Sequence, residues 1–410
     1  RTLSANTFKR VSYDISSDQI DHFISPIKQY TSNEKSRPNI VLVITESFSR
    51  EYSGAFNKDR NIENYVSYTP FIDSLAGHSL IFPNAFANGY KSIHGMSSVL
   101  AGIPSFKDAF TSSPYSKQEI ESVVSILNEL DYDTSFFHGA ANGSMGFLGF
   151  SNILGFDNYY GRTEYNDDDD FDGTWGIWDE KFLDFTKEVL NEKKEPFFST
   201  IFTLSSHEPY KIPKEYKGKF PTGNVQMNQS ISYTDYSLKT FFEASKNEEW
   251  FNNTIFIITA DHGSQPGFDE YRKTVNRTGI PILIYKPDNS LREVKNDLAQ
   301  QIDIYPTIID LIGYKKPFRS WGRSLVNDTL IHPFTLNYCA SGYVLQRDNY
   351  ICFFDGIKTT GFYDIKDKDL QINLIEQSNS QMDTLEIVTK AFIKDFFDRI
   401  VDKKLGKPKK

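Results

Sequence analysis

Asp261-His262-Gly263 follows the run Ile255-Phe256-Ile257-Ile258-Thr259-Ala260 without a break. Such a run reads as a strand buried on both faces, and in open α/β sheets ligand sites gather at the carboxyl ends of the strands. A carboxylate beside an imidazole at that edge is a donor pair for zinc, manganese or a similar ion, and Gly263 lets the chain turn sharply. Alone, a capping Asp and a hydrogen-bonded His explain the tripeptide equally well. Glu46 repeats the arrangement after Ile40-Val41-Leu42-Val43-Ile44-Thr45. A carboxylate ending a buried strand needs a compensating partner, which a cation supplies; a salt-bridged or capping role is the alternative.

Ser92 lies in Asn88-Gly89-Tyr90-Lys91-Ser92-Ile93-His94-Gly95 and opens a stretch of small residues that Gly102 and Pro104 stop. It reads as a helix start. Backbone N–H groups at such a terminus can hold a phosphate, and coordination to a metal would lower the hydroxyl's pKa and make it a nucleophile without a separate base. An ordinary N-cap accounts for the same residue. Ser205-Ser206-His207-Glu208-Pro209-Tyr210 follows another apolar run, Phe197 to Leu204. There His207 is placed to hydrogen-bond a substrate oxygen or protonate a leaving group, with a core-satisfied histidine as the alternative. The acidic run Asp167-Asp168-Asp169-Asp170 reads as a solvated loop rather than a cation site.

The elements that must position these groups follow from the hydrophobic pattern. Comparable runs recur at Ser135-Phe136-Phe137 and Ile280 to Tyr285, with helical patterns at Glu119 to Leu130, Trp178 to Leu190 and Ile231 to Ala244. The alternation predicts an α/β fold with a mostly parallel central sheet covered by helices on both faces. Residues 1–37 read as a lead-in helix and linker, with Ile20, Phe23, Ile24, Ile27 and Tyr30 at near-helical spacing before a polar break at Thr31-Ser32-Asn33-Glu34-Lys35. Residues 38–332 form the expected catalytic domain. From about residue 333 short strands with turns predict a small antiparallel β subdomain, closed by a helix from Thr384 to Ile400 and making 333–402 an α+β unit. Residues 403–410 read as a disordered basic tail.

With 410 residues, 39% apolar and 15% aromatic, the chain can fill a proper core. Its net charge of −9 argues against a nucleic-acid partner, so an anionic substrate must meet a local cation. The two cysteines, Cys339 and Cys352, read as lying in one β-hairpin, either bridged or as free thiols. No stretch approaches the ~18 consecutive apolar residues of a membrane span, and the start carries no signal-peptide pattern. The first residue is Arg1 rather than Met, which suggests a fragment whose upstream part holds an anchor.

Taken together, the ordered motifs resemble the sulfatase branch of the alkaline phosphatase superfamily, and within it the lipoteichoic-acid-synthase-like phosphoglycerol transferases. The similarity runs from about Pro38 to Leu325 and rests on Asn39 to Ser47, Thr69-Pro70-Phe71-Ile72-Asp73-Ser74-Leu75, Lys91-Ser92, His207-Glu208-Pro209-Tyr210, Asp261-His262-Gly263 and Gln301-Ile302-Asp303-Ile304-Tyr305-Pro306-Thr307. The resemblance implies an alkaline-phosphatase-like fold and one divalent cation, manganese or magnesium with zinc also possible, held by Glu46, Ser92, Asp261 and His262. It implies a phosphate-contacting role for His207 and a substrate-contacting role for Trp175 in the segment Trp175-Gly176. The expected activity is phosphoglycerol or related phosphoryl-ester transfer to or from an envelope lipid or glycan through a covalent Ser92 intermediate. A phosphodiesterase or sulfatase-type hydrolase of the same fold is the alternative, and a noncatalytic glycan- or lipid-binding module a third reading. The family also implies an extracytoplasmic location, tethered by a membrane segment upstream of Arg1.

This chain departs from the family pattern in three places. The synthases use threonine where Ser92 stands. No basic residue follows the tryptophan closely, since Ile177 and Trp178 come after Gly176, leaving Lys91 and His94 as alternative contacts. True sulfatases form formylglycine within a Cys/Ser-x-Pro-x-Arg motif; neither cysteine lies in one, and Ser92 is followed by Ile93-His94-Gly95-Met96. Phosphorus chemistry therefore fits better than sulfur.

Overall fold

A computed structural model describes residues 8–31, 37–327, 331–339, 342–377 and 380–408. The run Asn39–Thr45 forms β1, buried along its whole length. Its side chains alternate between two cores: Ile40, Leu42 and Ile44 enter one cluster, Val41 and Val43 the other. That division is what a strand covered on both faces requires. The sheet is completed by β2 (Ser79–Ile81), β3 (Asp133–His138), β4 (Asn158–Tyr160), β5 (Phe197–Phe202), β6 (Thr254–Ala260), β7 (Ile282–Tyr285) and β8 (Glu293–Val294). These eight strands run in the order β8-β2-β7-β6-β1-β5-β3-β4. Only β7 is antiparallel to its neighbours; the remaining pairings are parallel, so the sheet is mixed and mostly parallel.

The helices Asp179–Asn191 and Met227–Ser245 bring Phe182, Leu183, Leu190, Ile231 and Leu238 to one face. The helices Ser92–Ala101, Val123–Asn128 and Ile304–Leu311 cover the other with Val99, Leu100, Val124, Leu127 and Ile308. Register then sets the site. Ile44 of β1 lies opposite Phe202 of β5 and Thr45 lies opposite Ala260 of β6, so the chain leaves all three strands at one level.

Beyond residue 333 a four-stranded antiparallel sheet forms from Phe334–Cys339, Gly342–Arg347, Tyr350–Phe354 and Thr359–Asp364, and the helix Ser380–Val401 packs on it. Cys339 and Cys352 are free thiols. They do not share a hairpin: Cys339 pairs with Gly342 and Cys352 with Leu345, so the strand Gly342–Arg347 separates theirs.

Three expectations at element ends are corrected. The lead-in helix covers only Ser17–Phe23, begun by a Ser16–Gln19 capping box and followed by Ser25 at φ 43°; Ile27 instead pairs with Arg319 in a short antiparallel ladder. Most of the expected polar break, residues 32–35, lies outside the described residues. The helix expected from Glu119 starts at Val123, because Ser122 and Ser125 form a capping box there. Nor is the basic tail free. Leu405 is fully buried, and its carbonyl accepts from the Glu121 amide at 2.8 Å and from Arg319 Nε at 3.2 Å. Lys409 and Lys410 lie outside the described residues.

The run Asp168–Asp170 forms an exposed 3-10 turn, with Asp168 paired to Arg162 Nε at 2.7 Å. Among the described residues no helix is long and apolar enough to cross a membrane.

Candidate active site

Glu46 is buried where the chain leaves β1. Its amide donates to Thr203 Oγ1 (3.0 Å) and its carbonyl accepts from Ser206 Oγ (2.5 Å), so the segment after β5 holds it from both sides. Ser47 takes φ 52°, a left-handed conformation uncommon for serine. In that pose its hydroxyl donates to Glu46 Oε1 (2.6 Å) and its amide to Asp261 Oδ1 (2.7 Å).

Asp261 Oδ1 also accepts from the His262 amide (2.7 Å). Asp261 Oδ2 is buried without a hydrogen-bond partner and lies 3.3 Å from His262 Nε2, which is 3.8 Å from Glu46 Oε1. His262 Nδ1 sits 2.7 Å from the Gly263 carbonyl. A carbonyl only accepts, which assigns the proton to Nδ1 and leaves Nε2 as the lone-pair nitrogen facing the carboxylates.

Glu46, Asp261 and His262 thus each offer a ligand atom, all within 4.8 Å of one another. Burial and then the Glu46 charge push the Asp261 carboxyl well above its usual range. Burial would raise Glu46 as well, but the charge that His262 and His207 carry when protonated, together with the Ser47 hydroxyl, outweighs it and holds Glu46 low. Two buried carboxylates, one with an orphaned oxygen, facing an imidazole lone pair form a donor set that a divalent cation fits.

Ser92 points into this group. Lys91 is the N-cap of the helix Ser92–Ala101 and makes no side-chain cap bond; Ser92 Oγ instead donates to Glu46 Oε2 at 2.9 Å. The ordinary N-cap reading is therefore not realised. The helix approaches β6 closely at Gly95, where a Cβ would stand 2.6 Å from Asp261 Cα.

Gln301 ties the parts together, donating through Nε2 to the Ala260 and Asp261 carbonyls (2.7 Å each) and accepting from the Asn88 amide (2.8 Å). The motif containing Gln301 was visible in the sequence, but its bridging role was not. The role of Ser47 is likewise not readable from the sequence, since it depends on the left-handed backbone that turns its amide and hydroxyl toward the two carboxylates.

His207 and Trp175 come together from loops distant in sequence. Their rings are 4.3 Å apart, and both His207 Nδ1 (2.9 Å) and Trp175 Nε1 (2.6 Å) meet the Glu208 carbonyl. Asp172 Oδ1 orders the tryptophan loop by accepting from the amides of Thr174, Trp175 and Gly176. Trp175 thus joins the site through His207. His94 is buried with Nδ1 accepting from the Tyr90 amide (3.2 Å); burial, helped by Lys91, pushes its imidazole down to about 4, so it is neutral near pH 7.

The group opens into a cleft of about 1580 Å³ lined by Ser92, His207 and His262, with Lys91, Arg272 and Arg277 on its walls. The sulfatase family profile matches residues 38–314. The chain belongs to the sulfatase family. Among curated relatives, this sulfatase-family chain is 23% identical over 326 residues to the lipoteichoic acid synthase-like YvgJ of Bacillus subtilis, covering 71% of the chain and 51% of that protein. It spans about half the length of the curated relatives it matches.

Among solved structures it resembles a protein of the alkaline phosphatase superfamily from Vibrio parahaemolyticus (TM-score 0.80, 23% identity, 99% of this chain and 96% of that one). It also resembles the lipoteichoic acid synthase LtaP from Listeria monocytogenes (TM-score 0.74, 18% identity, 96% and 100%). The alkaline-phosphatase-like fold expected from the motifs is therefore the fold of this chain.

Proposed function

We propose that this sulfatase-family enzyme transfers a phosphoryl-ester group, phosphoglycerol or a close relative, from or to an envelope lipid or glycan, with Ser92 as the nucleophile. The observation that carries the reading is the 2.9 Å bond from Ser92 Oγ to Glu46 beside the unpartnered Asp261 Oδ2. A hydroxyl meant only to cap its helix would turn back to its own backbone. The absence of a Cys/Ser-x-Pro-x-Arg motif supports phosphorus over sulfur.

Glu46, Ser92, Asp261 and His262 would hold one divalent cation, with manganese or magnesium favoured by the family resemblance. Bound there, it supplies positive charge that lowers the serine hydroxyl's pKa and offsets charge on the phosphate oxygens. The chain's own groups do the rest. Ser92 Oγ passes its proton to Glu46 Oε2 and attacks phosphorus; an Oγ–P bond forms and the bond to the first alcohol breaks. His207, across the cleft and braced by Trp175, gives the departing oxygen a proton. A second alcohol or water then attacks phosphorus and gives its proton to His207; its O–P bond forms as the Oγ–P bond breaks, and Glu46 returns the proton to Ser92 Oγ. The amides at the start of the helix Ser92–Ala101 face the phosphate oxygens.

We extend the reading to an extracytoplasmic location, which is supported by the relatives named as lipoteichoic acid synthases.

The test is turnover of aryl phosphodiester, phosphomonoester and sulfate substrates by the purified chain with manganese, alongside Ser92→Ala. We expect the diester to react and Ser92→Ala to lower kcat by at least about 1000-fold, on the scale seen when a catalytic nucleophile is removed, with circular dichroism unchanged. Full activity in that variant would sink the assignment, and preference for the sulfate ester would redirect the chemistry.

A further inference from the structure

His262 owes its direction to one carbonyl. Its Nδ1 lies 2.7 Å from the Gly263 oxygen, and a histidine that ligates through Nε2 is fixed in tautomer and ring orientation by the acceptor at its other nitrogen. That carbonyl belongs to the peptide unit joining Gly263 to Ser264, so whatever holds Ser264 aims the imidazole. Gly263 itself is confined on its other side, since a Cβ there would stand 2.4 Å from the Arg277 carbonyl.

Ser264 is held from the protein interior. The hydroxyls of Tyr52 and Ser264 are 2.8 Å apart, and the Tyr52 hydroxyl is 3.5 Å from the Gln265 carbonyl. Further along the same segment, Glu51 Oε2 accepts from the amides of Gly267 (2.9 Å) and Phe268 (3.1 Å). Both holds come from the 3-10 turn Arg50–Tyr52, which is fully buried and follows Glu46 closely in the chain. The turn is anchored at its Arg50 end. There the amide donates to the Gly279 carbonyl (3.0 Å) and Nη1 to the carbonyls of Pro83 (2.6 Å) and Ala85 (3.3 Å).

Packing alone would not favour this arrangement. Glu51 Oε1 and Arg50 Nη2 are buried without a hydrogen-bond partner, and burial raises the Glu51 carboxyl to about 7 against the pull of the two amides. Apolar side chains at these places would avoid the desolvation penalty. What the polar groups add is a fixed position for the segment 264–268. We propose that Tyr52 is a positioning residue for the cation site, acting through Ser264 and the Gly263 carbonyl to hold His262 Nε2 towards Glu46 and Asp261, with Glu51 fixing the far end of the same segment. The inference rests on the reading of Glu46, Ser92, Asp261 and His262 as cation ligands. In Tyr52→Phe the ring still fills its space in the core, but the Gly263–Ser264 peptide is free to rotate and the imidazole with it.

Two readouts test this in the full chain, and neither is turnover. The first is manganese affinity, followed by the electron paramagnetic resonance signal of the free ion, in wild type, Tyr52→Phe, Ser264→Ala and the double variant. We expect each single change to weaken binding about tenfold, the lower end of what loss of an outer partner of a metal ligand costs. The double variant should bind no more weakly than either, because both changes remove one interaction. Glu51→Leu should weaken binding as well, and Glu51→Gln, which keeps an acceptor for both amides, should restore most of it. Urea midpoints check that the variants are folded. The second readout is the imidazole proton of the metal-free chain in proton–nitrogen correlation spectra, with His262→Gln assigning the signal. The Nδ1–H tautomer should dominate in wild type and give way to a mixture in Tyr52→Phe. Undiminished manganese affinity in Tyr52→Phe, additive losses in the double variant, or an unchanged tautomer would overturn the positioning role. A wild type that binds no manganese would overturn the cation reading and this inference together. That result is distinct from failure of the inference alone, in which wild type binds and Tyr52→Phe binds equally well.

Discussion

Asp261 Oδ2 is the atom on which the site's chemistry turns. Its partner oxygen is saturated by the Ser47 and His262 amides, while Oδ2 is buried and accepts nothing. An oxygen left in that state costs about 1–3 kcal/mol or more if nothing binds it. Asp261→Asn keeps the acceptor for both amides but puts a non-ligating NH2 where Oδ2 was. Manganese at 100 times its dissociation constant should stabilise the wild type by about 2.7 kcal/mol, read as a shift in the denaturation midpoint, and should stabilise Asp261→Asn by less than a third of that. An equal shift in both would mean that the ion binds elsewhere. The candidates Glu46, Ser92, Asp261 and His262 were legible in sequence because each follows a recognisable strand or helix start. Ser47 was not, because its part depends on a positive φ that no residue pattern announces.

At the scale of elements, one close contact and one buried carboxylate hold the ligand loops. The helix bearing Ser92 lies against the end of β6 at Gly95, where any side chain meets Asp261 backbone. Gly95→Ala should force the two apart, destabilising the fold by about 1–3 kcal/mol in urea titrations and reducing turnover by more than the loss of folded protein explains. Unchanged activity would show that the contact is dispensable.

Asp179, at the start of the helix Asp179–Asn191, accepts from the amides of Leu204 (2.7 Å) and Ser205 (3.1 Å) and so shapes the approach to His207. Burial raises its carboxyl to about 6 against the opposing pull of those amides. A carboxyl raised on folding contributes stability that is complete below the unfolded pKa near 3.9 and is lost as pH rises through about 6. The stability of wild type relative to Asp179→Asn should therefore fall between pH 4.5 and pH 7.5. A gap that widens over that range would contradict the burial account.

At the scale of the whole molecule, the core containing β1 extends from Phe8 to Leu405 and includes Phe392 and Phe396 of the last long helix. The terminal segments are thereby part of the scaffold under the Ser92 helix. Leu405→Ala should cost roughly 2–5 kcal/mol, the range for a buried leucine truncation, measurable in urea; a cost near zero would mean that the tail is not held in solution.

The sequence by itself determined the parallel strands, the helices between them, and the order in which Glu46, Ser92, His207 and Asp261-His262 are delivered. Buried strands have no choice but to be apolar, and strand ends are where polar groups first appear. Tertiary structure alone decided the docking of Leu405, the separation of the cysteines onto non-neighbouring strands and the Gln301 bridge. Each of these depends on which distant backbone groups need a partner, and that need exists only after the sheet has formed.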